Sequence, residues 1–494
     1  MTVPSLHDIE QPVKAGLMTA EQARDPDYFP GFAIAIPLGI QHVLAMFVSN
    51  IAPAIIVAGA AGFGYGSADQ HELIYMIQMS MLLAGITTLM QTIGAGPVGA
   101  RLPIVQGTSF AFVPVMIAIV SGKGVEGMAV LTTGALFGGL FHASLALVVG
   151  RIRFALPPMV TGLVVLMIGL SLMQVGIQYA AGGVELQGTA LYGTARSWLL
   201  AGVVVATTLG LSFFGRDMWP TASVLIGVLA GYAVAALLGT VSLANVAQAN
   251  WIVVPVPFHF GFAFSASAVL GFCLMGVISA IETVGDVSGI CAGGARREAT
   301  DAELSGATSA DGLGTALAAV FGALPNTSFS QNVGLIAITG VMSRHVVTIG
   351  ALFLIVCGFV PKIGALITTI PIEVLGGAVI VMFGMVASAA LSILSQVSWT
   401  QRNMLIFGVA LSISLGLQLE PSAIQHLPET WRILLSSGLL PAATIAVVLN
   451  LVVPGRSAPG GPISPEPLRF DHQAPDLQDK AARPVLGANF GNEA

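Results

Sequence analysis

The stretch Leu324-Pro-Asn-Thr-Ser-Phe-Ser-Gln-Asn-Val-Gly-Leu-Ile-Ala-Ile-Thr-Gly340 carries the reading of the fold. Pro325 has no backbone N–H to give a helix and pushes its predecessor out of helical geometry. Small polar residues follow it, and the helical apolar pattern resumes only near Asn332. An earlier stretch, Leu102-Pro-Ile-Val-Gln-Gly-Thr-Ser-Phe-Ala-Phe112, has the same grammar. Phe110 and Phe329 stand 219 residues apart, and Pro158-x-x-x-Gly162 echoes Pro371-x-x-x-x-Gly376 with the glycines 214 apart. Both stretches therefore predict broken membrane helices at matching places in two halves of the chain. Pairs of interrupted segments of this kind point to the binding site of a secondary transporter. The bland alternative is two Pro-containing helices with ordinary caps.

The rest of the chain fits a membrane setting. Of 494 residues, 55% are hydrophobic and 9% charged, against roughly a quarter charged in a soluble domain. A net charge of −6 speaks against nucleic-acid binding, and Cys273, Cys291 and Cys357 all lie in apolar runs, which leaves no disulfide framework or metal cluster to propose. A bilayer-crossing helix needs about 20 apolar residues, and on that basis about fourteen segments are expected. They fall near 31–56, 75–93, 102–120, 127–149, 158–180, 198–214, 221–238, 264–290, 310–324, 325–341, 346–360, 371–394, 403–417 and 433–453. The fold class expected is all-α and polytopic, a seven-plus-seven repeat broken in segments three and ten. Seven is odd, so the second half enters from the opposite side and the repeat is inverted.

Loop charge sets the orientation. With cytoplasmic termini, fourteen Lys and Arg fall inside and four outside (Lys123, Arg196, Lys362 and Arg432), as the positive-inside rule requires. All five tryptophans sit at or beyond segment ends. The first 30 residues carry no apolar signal-peptide core, and the Pro-rich residues after Val453 read as a disordered tail. A multi-pass protein of the cell membrane is expected.

Depth links the broken segments to a site. A helix from Asn332 to Arg344 spans about 18 Å, and one from Ser109 to Lys123 about 21 Å. Each would start near the middle of a core about 30 Å thick. Two such half-helices would aim unpaired N–H groups at one another, a donor-rich setting for carbonyl oxygens or an anion. In segment eight, Glu282 and Asp286 share a helix face at i, i+4, with no Lys or Arg in the segment to pair with them. A charge at that depth costs about 2.5–3.5 kcal/mol on the lenient scale, so function is the default reading. Hydrogen bonding to neighbouring backbone or hydroxyls is the structural alternative.

Other polar residues are more open. Asp311 begins segment nine at an apparently shallow position and reads as a functional acid or a cap. His42, after Gln41 in segment one, is a packing residue or a proton relay. Glu373 is a first-turn residue after Pro371. Gln331 and Asn332 offer amides at the half-helix start, where Asn332 also reads as an N-cap. Gly94-Ala-Gly96-Pro-Val-Gly99 matches a nucleotide-loop pattern without the strand and helix that pattern needs. Asn326-Thr-Ser328 matches a glycosylation sequon ahead of a membrane half-helix. Neither carries weight.

Taken together, Gln331-Asn332-x-Gly334-x4-Thr339-Gly340, the Gln41-His42 pair, Ser109-Phe110-Ala-Phe112 and Glu282-x-x-Gly285-Asp286 resemble the landmarks of the nucleobase/ascorbate transporter (xanthine/uracil permease) family. The resemblance implies a core domain (31–150 and 263–362) that moves against a gate domain (151–262 and 363–453), elevator fashion, in a homodimer. Residues 1–30 and 454–494 would be cytoplasmic. It implies substrate binding by Glu282 to base N–H groups and by Gln331 to a carbonyl and ring nitrogen, with Phe110 against the ring and Ser109, Ser330 and Asn332 nearby. Asp286, Asp311, His42, Gln41 and Thr339 would support binding or proton coupling, with no cofactor. Gln331 and Asp286 look like the xanthine/urate branch, because uracil-type members carry Glu and His there. Gly340, in place of Arg or Lys, leaves the choice between xanthine and urate open.

The leading expectation is thus proton-coupled import of purine bases. Uracil, other nucleobases or ascorbate are alternatives, as is an anion transporter of the sulfate/bicarbonate type, against which the carboxylate of Glu282 argues. An intramembrane aspartyl protease would need Gly-x-Gly-Asp where the chain has Val284-Gly285-Asp286.

Overall fold

The computed structural model describes residues 18–64, 67–149, 158–216, 219–220, 222–243, 246–247 and 249–454. The expected disordered tail after Pro454 lies outside the described residues, as does most of the N-terminal segment. In chain order come α1 (Ala20–Arg24), α2 (Phe32–Ala61), α3 (Gln70–Ile93), strand β1 (Gln106–Thr108), α4 (Val113–Val120), α5 (Gly124–Leu145) and α6 (Pro158–Ala180). Next are α7 (Ala195–Phe214), α8 (Ser223–Leu237), α9 (Ala266–Ile290), α10 (Asp301–Val320), strand β2 (Asn326–Ser328) and α11 (Ser330–Thr339). The chain continues through α12 (Arg344–Phe359), α13 (Pro361–Ile367), α14 (Ile372–Leu394), α15 (Gln401–Leu419), α16 (Glu429–Ser436) and α17 (Leu439–Val452).

Eight helices among the described residues are long and apolar enough to cross a membrane alone: α2, α3, α5, α6, α7, α9, α14 and α15. This is a multi-pass membrane protein. The other expected segments each fall short for a visible reason. Segments three and ten are interrupted by β1 and β2. Helices α8 and α17 are apolar but short, α17 at 14 residues reaching only about 21 Å. Helix α10 has the length but carries Asp301, Glu303 and Asp311. Helices α12 and α13 meet at an angle of 86° where Pro361 opens a new helix.

Lipid supplies no hydrophobic drive between helices, so close packing through small residues must do so. Helix α5 lies against α10, where a Cβ on Gly312 would meet the backbone of Ala143 and one on Gly139 the backbone of Ala316. Helix α12 packs on α3 and α2, α9 on α5, α14 on α6, α7 and α8, and α17 on α15. Helices α2 and α3 are mostly buried among their neighbours, whereas α7 and α15 are mostly exposed and lie at the periphery of the fold.

The breaks themselves are tied together. Strands β1 and β2 pair antiparallel, Gln106 opposite Ser328, Gly107 opposite Thr327 and Thr108 opposite Asn326, all buried. Non-helical backbone at membrane depth survives only where protein satisfies it, and here side chains of flanking helices do. Thr88 Oγ1 accepts from the Gln106 N–H (2.9 Å) and Asn50 Oδ1 from the Thr108 N–H (2.8 Å). Thr315 Oγ1 accepts from the Asn326 N–H (3.1 Å) and donates to its carbonyl (3.0 Å). The Ser109 N–H reaches Pro325 O (2.9 Å) and the Phe329 N–H reaches Val105 O (3.0 Å). Gly107 allows this approach, since a Cβ there would occupy the space of the Phe329 ring and Asn50.

Three boundaries differ from the sequence reading. Helix α4 begins at Val113 rather than Ser109, set by Pro114 in its first turn. Helix α11 begins at Ser330 rather than Asn332, so Asn332 lies inside the first turn and does not cap it. Helix α10 begins at Asp301, capped by Thr300 in a reciprocal bond with Glu303. That leaves Asp311 mid-helix and fully buried rather than shallow or capping.

Candidate functional site

A cavity of about 240 Å³ opens where the two breaks meet. One wall is the turn from β1 into α4 (Thr108, Ser109 and Phe110), Glu282 of α9, and the junction of β2 with α11 through Ser330 and Gln331. Facing it are Val165 and Ile168 of α6 and Met385, Val386 and Ala389 of α14. The wall formed by the breaks is polar and the opposite wall is aliphatic. A second, apolar cavity of about 210 Å³ between α6, α9 and α17 also touches Glu282 and shares Val165 and Ile168 with the first.

The expected residues divide into three groups. Glu282, Gln331, Phe110, Ser109 and Ser330 line the cavity. Gln331 is exposed to it in the first turn of α11, and no described residue bonds Glu282 Oε2 or Ser109 Oγ. Phe110 packs edge-to-face on Phe383 of α14, centroids 5.3 Å apart and planes at 86°. This contact joins the turn before α4 to α14. Helix α11 directs its first turn, Ser330 and Gln331, at the cavity, and the turn leading into α4 meets it from the other break.

A second group sits one layer behind. Asp286, one turn beyond Glu282, accepts from Ser328 Oγ (2.6 Å) and Ser330 Oγ (2.7 Å). Asp311 accepts from Gln106 Nε2 (2.5 Å) and Gln91 Nε2 (2.7 Å) on Oδ1 and from the Thr283 hydroxyl on Oδ2. Three carboxyl groups thus stand near one another, Asp286 and Asp311 with hydroxyl and amide partners, and among the described residues no Lys or Arg is bonded to any of them. Buried carboxyls are retained at such depth for function.

The third group lies away from the cavity. Asn332 is turned from it toward α2, where its Nδ2 donates to His42 Nδ1 (2.9 Å) and to the His42 carbonyl (3.1 Å). Nδ1 accepts, so the ring proton sits on Nε2. Gln41 is buried beside it on α2. Thr339 donates to Leu335 O (2.9 Å) within α11, a local back-bond. Glu373 is a buried first-turn residue of α14, with Ser197 Oγ 3.5 Å away.

Some residues of the site escape sequence reasoning. Gln106 and Ser328 stand in the quoted stretches without a role assigned to them. Gln91 and Thr283 are polar residues in apolar runs, the signal that singled out Glu282, but they carry no charge. The aliphatic wall of Val165, Ile168, Met385, Val386 and Ala389 leaves no one-dimensional trace.

A multi-pass helical membrane transporter, with broken helices meeting at an internal cavity, is the class this fold and site define. The transmembrane domain of a cyanobacterium bicarbonate transporter, BicA, aligns with 85% of this chain and 98% of its own at a TM-score of 0.54 and 13% identity. The murine Slc26a9 anion transporter in its inward-facing state aligns with 85% of this chain and 68% of its own, at 0.59 and 12%. At such identities the likeness concerns the fold alone. Residues 33–422 match the model of the Permease family. Xanthine permease XanP of Escherichia coli K12 is 36% identical over 424 residues, 84% of this chain and 90% of the relative. Uric acid permease PucJ of Bacillus subtilis is 34% identical over 421 residues, 84% and 91%. The chain belongs to the xanthine/uracil permease family, that of the nucleobase/ascorbate transporters.

Proposed function

We propose that the protein imports purine nucleobases, xanthine and/or urate, across the cell membrane in symport with protons. The observation that carries the reading is the pair of Glu282 and Gln331 on one cavity wall, Glu282 with an unbonded carboxyl oxygen and Gln331 exposed. A purine base presents N–H donors, carbonyls and ring nitrogens along its edges. Glu282 accepts from the N–H groups, the Gln331 amide both donates and accepts, and Phe110 packs against the ring. Ser109 and Ser330 line the rim. The xanthine and uric acid permeases among its relatives support the substrate class.

Protons are the proposed coupling ion because Glu282, Asp286 and Asp311 lie together without a cationic partner among the described residues, and a carboxyl group that loads and releases a proton changes its hydrogen bonds to substrate. His42 and Asn332 hold α11 in register, with Gln41 and Thr339 as further supports. The moving body is a core of α2–α5 and α9–α13 against a gate of α6–α8 and α14–α17. In support, the helix pairs α3–α12, α5–α10 and α5–α9 fall in one set and α6–α14, α7–α8 and α15–α17 in the other. The site lies at the seam between them. The antiparallel meeting of β1 and β2 supports an inverted seven-plus-seven repeat of fourteen segments. Cytoplasmic termini follow from the loop charges, and a homodimer from the family.

The solved neighbours are a bicarbonate and an anion transporter, which favours anion transport as the second reading. Glu282 works against it, because an ionised carboxylate in the cavity repels a small inorganic anion, which lacks the ring N–H donors that a purine, urate included, offers that carboxylate. The deciding experiment is uptake of labelled xanthine by cells lacking their own purine permeases, at acidic external pH, with and without a protonophore. Uptake that collapses with the protonophore is expected. Absence of uptake of xanthine and urate by membrane-expressed protein, with uptake of bicarbonate or sulfate, would overturn the proposal.

A further inference from the structure

Gln91 lies near the C-terminal end of α3, fully buried, and uses every polar atom it has. Its Nε2 donates to Ala307 O (3.0 Å) and to Asp311 Oδ1 (2.7 Å) on α10. Its Oε1 accepts from the Ala100 N–H (3.2 Å), and its main-chain oxygen from the Arg101 N–H (2.8 Å). Ala100 and Arg101 end the glycine-rich turn that begins at Gly94. That turn closes on itself between Ala95 and Val98, and its Gly99 N–H donates to Gly306 O (2.9 Å). Ser309 Oγ donates to Pro97 O (3.3 Å). The turn is therefore seated on Gly306 and Ser309 of α10, while Gln91 grips Ala307 and Asp311 of the same helix.

Asp311 in turn spans two parts of the site. Its Oδ1 receives Gln106, three residues before Ser109, and its Oδ2 receives Thr283, the neighbour of Glu282. A carboxyl group with donors on both oxygens is fixed in rotation. Two amides, which as donors cannot turn into acceptors without flipping, hold one oxygen and leave the other for the threonine. Among the described residues, Gln91 is the side chain bonded both to Asp311 and to the 94–101 turn.

We infer that Gln91 is a positioning residue for transport: it fixes the rotation of the Asp311 carboxyl, and so links the seat of the 94–101 turn to the β1 strand and to the Glu282 helix. The inference rests on the transport reading for its uptake arm but not for its structural arm. Loss of Gln91 leaves the cavity wall intact and removes the restraint behind it, so turnover falls while the substrate contacts remain.

Two substitutions test it. Gln91→Met keeps the length and removes the polarity; Gln91→Asn keeps the polar pocket but falls short of Asp311. In proton-driven xanthine uptake, both are expected to lower Vmax about tenfold or more per molecule at the membrane, with KM within about twofold of wild type. Gln78→Met removes another buried amide of α3, one that does not touch Asp311, and is expected to keep wild-type Vmax per molecule. Amide hydrogen exchange on purified protein forms the second arm. In Gln91→Asn, peptides covering 95–101 and 104–110 exchange faster than in wild type, and those covering 40–56 do not. Wild-type Vmax in both Gln91 variants, or a loss that follows membrane abundance alone, would overturn the inference. So would unchanged exchange in 104–110. If the wild-type chain takes up no xanthine, the purine reading falls and the exchange result alone decides the role of Gln91.

Discussion

Asn332 Nδ2 sits 2.9 Å from His42 Nδ1 and 3.1 Å from the His42 carbonyl oxygen, fastening the first turn of α11 to the middle of α2. Both residues are buried, and each would leave the other's polar groups unmatched if removed. An unsatisfied buried donor or acceptor costs about 1–3 kcal/mol. Asn332→Ala is therefore expected to lower the unfolding temperature of the purified protein by several degrees and to reduce uptake. Wild-type thermal stability would show that the bond does not hold α11.

Glu282→Gln keeps the size of the side chain and removes its charge and its ability to release a proton. Uptake is expected to be abolished while membrane abundance stays normal. Transport at wild-type rates in this variant would take Glu282 out of the mechanism.

Gln331→Glu exchanges an amide that donates and accepts for a group that, ionised, only accepts, and adds a fourth carboxyl near Glu282, Asp286 and Asp311. Xanthine affinity should fall about tenfold, roughly 1.4 kcal/mol, measured by competition of unlabelled xanthine against uptake. Unchanged affinity would refute the contact with the base.

Gly312→Leu sets a side chain where α5 and α10 touch backbone to backbone, at Ala143. Overpacking of a tight contact costs typically 1–3 kcal/mol, occasionally more, and here the obstacle is main chain. The variant is expected to reach the membrane at a small fraction of wild-type abundance. Normal abundance with a single sharp peak on size-exclusion chromatography in detergent would show that the helices can part.

In the first turn of α10, burial disfavours the charge of Glu303, but the Arg297 guanidinium (2.5 and 2.8 Å) and Thr300 donors outweigh it and hold its carboxyl below the usual range. A depressed folded value means that the group stabilises the fold fully above its unfolded pKa of 4.5 and loses that contribution as pH falls through the lower folded value. Glu303→Gln should therefore lie below wild type in unfolding temperature at neutral pH and converge on it in acid. Parallel curves down to pH 3 would show that the ion pair adds nothing.

The site was legible where chemistry contradicts its surroundings. Glu282 and Asp286 stand out because a carboxylate in an apolar run is costly, and Gln331 because it follows a proline-broken segment. Asp311 was visible as a residue but not in depth, since α10 begins at Asp301 with polar residues that resemble a loop. Asn332 reads equally well as a cap, a substrate ligand or a support. Only its bond to His42, 290 residues away in sequence, separates the three. Met385, Val386 and Ala389 were invisible, because an aliphatic residue facing a cavity is written like one facing lipid.

By itself, the sequence determined that this chain lives in a membrane, that its helices break after Leu102 and Leu324, and that carboxylates lie at depth. Those outcomes follow from forces acting within a turn or two: proline's missing N–H, the transfer of apolar side chains into lipid, and the cost of charge there. Tertiary structure alone decided that β1 pairs with β2 in the Gln106–Ser328 register, that Asp311 is gripped by Gln91, Gln106 and Thr283, and which helices close the cavity. Apart from the Thr283–Asp311 bond, such pairings join segments more than 200 residues apart, and what selects them is polar groups that lipid cannot satisfy finding partners on another segment.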